Sequence, residues 1–113
     1  MHEMSLAQGV VDAIAAEATR QNFDRVEKVI LEVGALSCVD THALEFSFDA
    51  VVKDTLADGA ELEIQTPPGM GHCFGCDEDV AISRLGEACP LCGSHQVLPT
   101  GGDELKIKAL EVV

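Results

Sequence analysis

The stretch from Cys73 to Cys92 constrains this chain more than any other. It reads Cys73-Phe74-Gly75-Cys76, then twelve residues, then Cys89-Pro90-Leu91-Cys92. Two Cys-x-x-Cys pairs at this separation point to one tetrahedral zinc site with four thiolate ligands, Cys73, Cys76, Cys89 and Cys92. Each pair has to turn tightly enough to place two sulfurs on one ion, and Gly75 and Gly93 suit such turns. A redox pair would come singly and near a βαβ pattern. Two disulfides would call for a secreted chain, and no signal peptide is visible.

At 113 residues the sequence holds one domain, or one small domain carrying a metal module. A chain this size buries about two-thirds of its unfolded surface, so the core is modest and a metal supplies what a small ribbon cannot bury. No apolar run is long enough to span a bilayer, so no membrane partner is expected. Reduced cysteines without a targeting segment lead to the expectation of a cytoplasmic protein. Asp and Glu number 20 against 7 Lys and Arg, a net charge of −13. Many zinc ribbons bind nucleic acid through basic patches and stacking aromatics. This chain has no Trp, no Tyr and no basic cluster, which argues against that role. Its acidic surface suits a basic protein partner or cations.

Helical periodicity follows the N-terminus. Met4, Ala7, Val11, Ile14 and Ala18, widened by Val10 and Ala15, predict a helix that begins at Ser5 or a turn earlier and ends at Gln21-Asn22. Arg25 to Val33 reads as a strand, with Val29, Leu31 and Val33 on one face and Val26, Lys28, Ile30 and Glu32 on the other. Cys38, remote from the pairs, is expected to be a small buried hydrophobe. Asp40 is placed as the N-cap of a second helix whose buried stripe is Leu44, Phe48, Val51 and Leu56, with Gly59 just past its end and His42 exposed in its first turn. Ala60 to Thr66 alternates as a strand. Gly69 and Gly71 lead into the cysteines, Val80–Ile82 and Val97-Leu98 are short strands, and Glu104 to Val112 is a last strand whose alternation slips at Leu110. Pairing the strands before and after the cysteine module would set Glu61 and Glu63 against Lys106 and Lys108. The module would then be an insertion at the tip of a hairpin. The expected fold is α+β: two helices packed on a small mixed sheet, residues 1–68 and 102–113, with a zinc-ribbon module inserted at 69–101.

The opening Met1-His2-Glu3, the run Val33-Gly34-Ala35-Leu36-Ser37, the two Cys pairs and the closing Gly102-Asp103-Glu104-Leu105 … Leu110-Glu111-Val112 together resemble the HypA (HybF) family. These are nickel metallochaperones for nickel–iron hydrogenase maturation. The resemblance covers essentially the whole chain. The Cys pairs alone are common to many ribbons, and Met-His-Glu joined to this order of elements makes the match specific. The sequence departs from the family in small ways, as at His42, which stands where an ordinary helix-start residue is expected, away from the metal positions. The resemblance implies that the α+β body binds nickel through its N-terminal segment, Met1, His2 and Glu3, with His2 as the essential side chain. It implies that Ni(II) is transferred and Zn(II) is structural. The implied partners are a HypB-type GTPase, the hydrogenase large-subunit precursor and, for some members, urease maturation proteins.

The residues at the N-terminus agree with this chemistry. The Met1 amine, the His2 amide nitrogen and the His2 imidazole lie within one chelating reach, and a further backbone nitrogen or the Glu3 region completes a square-planar, nitrogen-rich set. Such a set favours Ni(II) or Cu(II) over zinc. Taken alone, a His beside an initiator Met is usually a solvated end. His72 and His95 flank the Cys pairs and are read as exposed loop histidines, with a supporting or alternative zinc role as the sharper reading. No nucleophile–base set, phosphate loop or cofactor motif is visible, so no enzymatic activity is expected. The rival reading is a zinc-ribbon adaptor that binds protein and carries no transferable metal.

Overall fold

The computed structural model describes residues 2–113, and for His2 its backbone alone. The elements run α1 (His2–Gln21), β1 (Val26–Val33), α2 (Thr41–Val51), β2 (Glu61–Gln65), β3 (Gly69–Cys73), β4 (Glu78–Ile82), β5 (Val97–Gly101) and β6 (Leu105–Val112). They form two helices and two three-stranded sheets, ordered β2-β1-β6 and β4-β3-β5. The chain divides into two compact units. One is Met1–Leu31 with Val39–Ile64 and Ile107–Val113, and the other is Glu32–Cys38 with Gln65–Lys106. Among the described residues no helix is long and apolar enough to cross a membrane.

In the first unit, α1 starts a turn ahead of Ser5. It buries Ala7, Val10, Val11 and Ile14, a stripe at helical spacing, while Met4 and Ala15 turn to solvent. The helix packs against α2. Asp40 caps α2 as expected: its Oδ1 accepts from the backbone N–H of His42 at 3.0 Å and of Ala43 at 3.2 Å. The helix ends at Val51, earlier than the predicted stripe through Leu56. Turn chemistry stops it. The Thr55 hydroxyl donates to Val52 O at 2.6 Å, and Asp54, at φ 63°, donates its N–H to Asp58 Oδ2. Leu44, Ser47, Phe48, Val52 and Ala57 are buried, and Val51 and Leu56 are half-buried. Gly59, at φ 79°, belongs to the turns that follow rather than to the helix end.

The sheet order corrects the expected hairpin. β2 and β6 do not pair, because β1 lies between them. Val26 N–H donates to Leu56 O, and Ala35 N–H to Pro67 O, so β1 and β2 run in the same direction through the α2 crossover. Val113 N–H donates to Arg25 O, and Gly34 N–H to Glu104 O, so β1 and β6 are antiparallel and the sheet is mixed. β1 is the apolar strand and takes the centre. Val29, Leu31 and Val33 are buried at alternate positions as expected, and Val26 at the strand's start is buried as well. The charge pairing is shared out accordingly. Lys28 Nζ lies 3.1 Å from Glu63 and 3.6 Å from Glu61, and Lys106 Nζ lies 3.4 Å from Glu32. Along β6 the half-buried positions shift phase from Ile107 to Leu110, where the alternation was expected to slip.

In the second unit β3 is a strand that its glycines concealed. It pairs antiparallel with β4, Gly71 opposite Val80 and Cys73 opposite Glu78, and with β5, His72 opposite Leu98. A Cβ at Gly69 would stand 2.4 Å from Leu36 Cγ, and one at Gly71 would stand 2.6 Å from Val97 Cγ1. The missing side chains are what let Leu36 and Val97 lie on the strand. Leu36, Cys73, Val80, Ile82 and Cys89 form the core of this unit.

Candidate metal centre

Each cysteine pair sits on a turn that its neighbours fix. Cys73 ends β3, and the next residue, Phe74, donates its N–H to Gln96 O at 2.8 Å. Gly75 can pass the second turn only without a side chain, since a Cβ there would lie 2.8 Å from Ser94 Cβ. Asp77, at φ 56°, reverses the chain into β4. In the second pair, Gly93 at φ 79° donates to Cys89 O at 2.8 Å, and Cys89 N–H donates to Ser94 O at 2.7 Å.

These turns bring all four sulfurs within 4.8 Å of one another. Cys73 Sγ lies 3.6 Å from Cys92 Sγ, and Cys76 Sγ lies 3.8 Å from Cys89 Sγ. Zn–S bonds of about 2.3 Å in a tetrahedron set the sulfurs about 3.8 Å apart, so the cage has the dimensions of a four-thiolate site. None of the cysteines is in a disulfide. Cys73 and Cys89 are buried, Cys76 is half-buried and Cys92 is exposed. Burial pushes the Cys89 thiol up, but hydrogen bonds from the backbone N–H groups of Cys92 and Leu91, together with those from the Cys73 and Cys92 sulfurs, more than offset it and bring it to about 7. The Leu91 N–H stands 3.4 Å from its sulfur. Burial and hydrogen bonds with the neighbouring sulfurs drive Cys76 up to about 12. The cage therefore holds protons at neutral pH that an incoming cation has to displace.

The other singled-out residues fall differently. Met1 and the His2 side chain lie outside the described residues. Glu3 is half-buried, and its Oε2 accepts from the Asp40 N–H at 3.4 Å. The first turn of α1 thus meets the N-cap of α2, a neighbour that residue spacing gave no means of finding. His72 is not a loop histidine. It is half-buried on β3, with Nδ1 2.8 Å from Asp79 and Nε2 3.0 Å from Asp77. The Asp79 carboxylate first, and Asp77 after it, raises its pKa against the opposing effect of burial. His95 and His42 are exposed, as expected. Cys38 is not a buried hydrophobe. It is exposed at φ 62°, and its Sγ lies 3.8 Å from Leu36 O.

Fold and cage together define a small α+β protein with a four-cysteine metal module. The family model described as hydrogenase/urease nickel incorporation, metallochaperone, hypA matches residues 1–112. The hydrogenase maturation factor HypA of Alkalilimnicola ehrlichii is 55% identical over 112 residues, 99% of each chain. That of Azotobacter vinelandii is 48% identical over 112 residues, again 99% of each chain. The fold matches the solution structure of the Ni metallochaperone HypA from Helicobacter pylori, with a TM-score of 0.73 at 22% identity over 98% of this chain and 97% of that one. This chain belongs to the HypA family.

Proposed function

We propose that this protein is a nickel carrier for nickel-enzyme maturation and not an enzyme. Ni(II) is its cargo, taken by Met1, His2 and Glu3, and Zn(II) is its resident ion, held by Cys73, Cys76, Cys89 and Cys92. What carries the reading is the match of residues 1–112 to a nickel-incorporation family, in a chain that opens Met1-His2-Glu3. The chemistry of the N-terminus supports it. The first four N–H groups of a helix have no intrahelical acceptor, and α1 begins at His2. The His2 amide nitrogen is therefore not committed to the helix ladder and is open to a metal alongside the terminal amine and the imidazole. The Glu3 carboxylate faces the Asp40 N–H, so Glu3 serves nickel through its backbone while its side chain holds the first turn in place. The cage dimensions support zinc, which closes the tetrahedron permanently.

In this reading the body, 1–68 and 102–113, handles nickel, and the module at 69–101 is built around zinc. Handover goes to a HypB-type GTPase and on to the hydrogenase large-subunit precursor, or to urease maturation proteins, in the cytoplasm. The test is equilibrium dialysis of the zinc-loaded, untagged protein against Ni(II). With ordinary pKa values of about 7.7–8.0 for the amine and about 6.5 for His, uptake should weaken steadily from about pH 8 to about pH 6. His2→Ala, acetylation of Met1 and an extension cloned ahead of Met1 should each abolish it and spare zinc. An extended protein that binds nickel as the native chain does removes the amine as a ligand. A His2→Ala protein that also binds normally sinks the proposal.

A further inference from the structure

The outward face of the β4-β3-β5 sheet contributes none of the four cage sulfurs. Along β3, Gly69, Gly71 and Cys73 are buried, while Met70 and His72 alternate to the other side, where the ring of Phe74, just past the strand's end, meets His72. Leu98 stands opposite His72 on β5 and shares that side. Phe74 is 63% exposed, Leu98 56% and Met70 37%. Between them sits His72, its ring edge-on to Phe74 at 5.0 Å and flanked by Asp77 and Asp79. The two carboxylates are 92% and 78% exposed, and against one imidazole they leave the face acidic.

We propose that this face docks a protein segment that presents an apolar side chain beside Arg or Lys. Charge decides the class of partner. Nucleic acid and anionic lipid are repelled by the carboxylates and by a net charge of −13. A second copy of this chain brings the same negative charge and only 7 basic residues. A cationic, apolar protein segment satisfies both halves of the face. Guanidinium groups meet Asp77 and Asp79, and the apolar side chain packs on Phe74 and Leu98. The anchor is already rigid: Phe74 lies between two cage cysteines, its N–H is bonded to Gln96 O, and His72 abuts its ring. A preorganised aromatic loses little freedom on binding, which is the property of an interface hot spot.

The test uses fluorescein-labelled synthetic peptides of equal length, one alternating Leu and Arg, the other Leu and Glu. Their anisotropy is read on zinc-loaded, full-length protein. The Leu/Arg peptide should bind and the Leu/Glu peptide should not. Phe74→Ser and Leu98→Ser should each weaken the Leu/Arg peptide about tenfold or more. Asp77→Asn with Asp79→Asn should weaken it and flatten its salt dependence. Phe46→Ser removes a ring 76% exposed on α2 and should change nothing. Zinc content and helical circular dichroism verify each variant. Leu98→Ser stands off the cysteine turns and keeps the test decisive if Phe74→Ser loses zinc. Unchanged affinity in Leu98→Ser, equal binding of the Leu/Glu peptide, or an equal loss in Phe46→Ser overturns the proposal. So does tight binding to phosphatidylglycerol vesicles that Leu98→Ser abolishes. Nickel uptake should be unaffected in every variant, so failure here is distinct from failure of the carrier reading.

Discussion

One substitution, Gly to Ala, should have opposite signs at two places in this chain. At Gly34 a Cβ would stand 2.1 Å from Gly102 O, 2.3 Å from Gly102 C and 2.9 Å from Asp103 N, all backbone atoms. Comfortable contacts begin near about 3.5 Å, so the two segments must part by more than about 1 Å. They cannot do so freely. Gly34 N–H is bonded to Glu104 O and Leu36 N–H to Gly102 O, each at 2.8 Å, on either side of the clash. Two hydrogen bonds at about 1 kcal/mol each, with about 1–3 kcal/mol for overpacking, put Gly34→Ala at about 3–5 kcal/mol destabilising. At Gly9, on the exposed side of α1, nothing lies within 4 Å of a built Cβ, and Ala is the better helix former by about 0.5–1 kcal/mol. The assay is guanidinium titration of the zinc-loaded protein with two probes. Far-UV circular dichroism follows the helices, both of which lie in the first unit, and a chromogenic chelator follows zinc release from the second. Gly34→Ala should lower the zinc-release midpoint sharply, and Gly9→Ala should raise the helical midpoint. An unmoved zinc midpoint in Gly34→Ala, or a lowered helical midpoint in Gly9→Ala, refutes the reasoning.

Cys73→Ala should abolish zinc binding, worth about 10–16 kcal/mol in comparable modules, and unfold the second unit while helical circular dichroism persists; loss of all helical signal would count against separable units. Lys28→Gln should leave Glu61 and Glu63 facing each other beside β1 and lower the melting temperature at low salt, with the deficit shrinking at high salt; a salt-independent deficit would point to packing instead. The Arg20 guanidinium, and the Gln21 amide after it, hold the Glu17 carboxyl below its ordinary range. Its stabilisation is therefore present above the unfolded pKa and lost as pH falls through the lowered folded value. Glu17→Gln should melt slightly lower than the native chain at neutral pH and equally in strongly acidic buffer; a deficit that persists in acid excludes the ion pair as its cause.

What the sequence disclosed and what it hid divide along a physical line. The four cysteines were legible because metal geometry fixes their spacing locally. Asp40 was legible because an N-cap is a local hydrogen bond. β3 was hidden because its glycines read as breakers, whereas their bareness accommodates Leu36 and Val97, side chains remote in sequence. The charges on β2 and β6 were read correctly as complementary, but their partners lie on β1. Strand order follows from which strand is most apolar and from the α2 crossover, not from the charges at the edges. His72 likewise took its meaning from Asp77 and Asp79 only once β3 and β4 were paired.

The position of the cage in the fold bears on which metal can travel. Cys73 and Cys89 are two of the five buried residues that make the core of the second unit, and Cys76 packs against them. An ion shared by those sulfurs is part of that core, so handing it on would cost the fold of the unit. A carrier needs the reverse: a site whose emptying leaves the packing intact. Among the described residues the four cysteines are the one group of three or more His, Cys, Asp or Glu side chains close enough to share an ion. In the carrier reading the second, releasable site draws instead on backbone nitrogens and on residues outside that set: the Met1 amine, the His2 amide and the His2 imidazole. The first turn of α1 lies ahead of the buried stripe that begins at Ala7, so in that reading metal exchange there would leave Ala7, Val10, Val11 and Ile14 in place. Nickel titration with the far-UV spectrum monitored should accordingly show full exchange of the ion with at most a one-turn change in helicity.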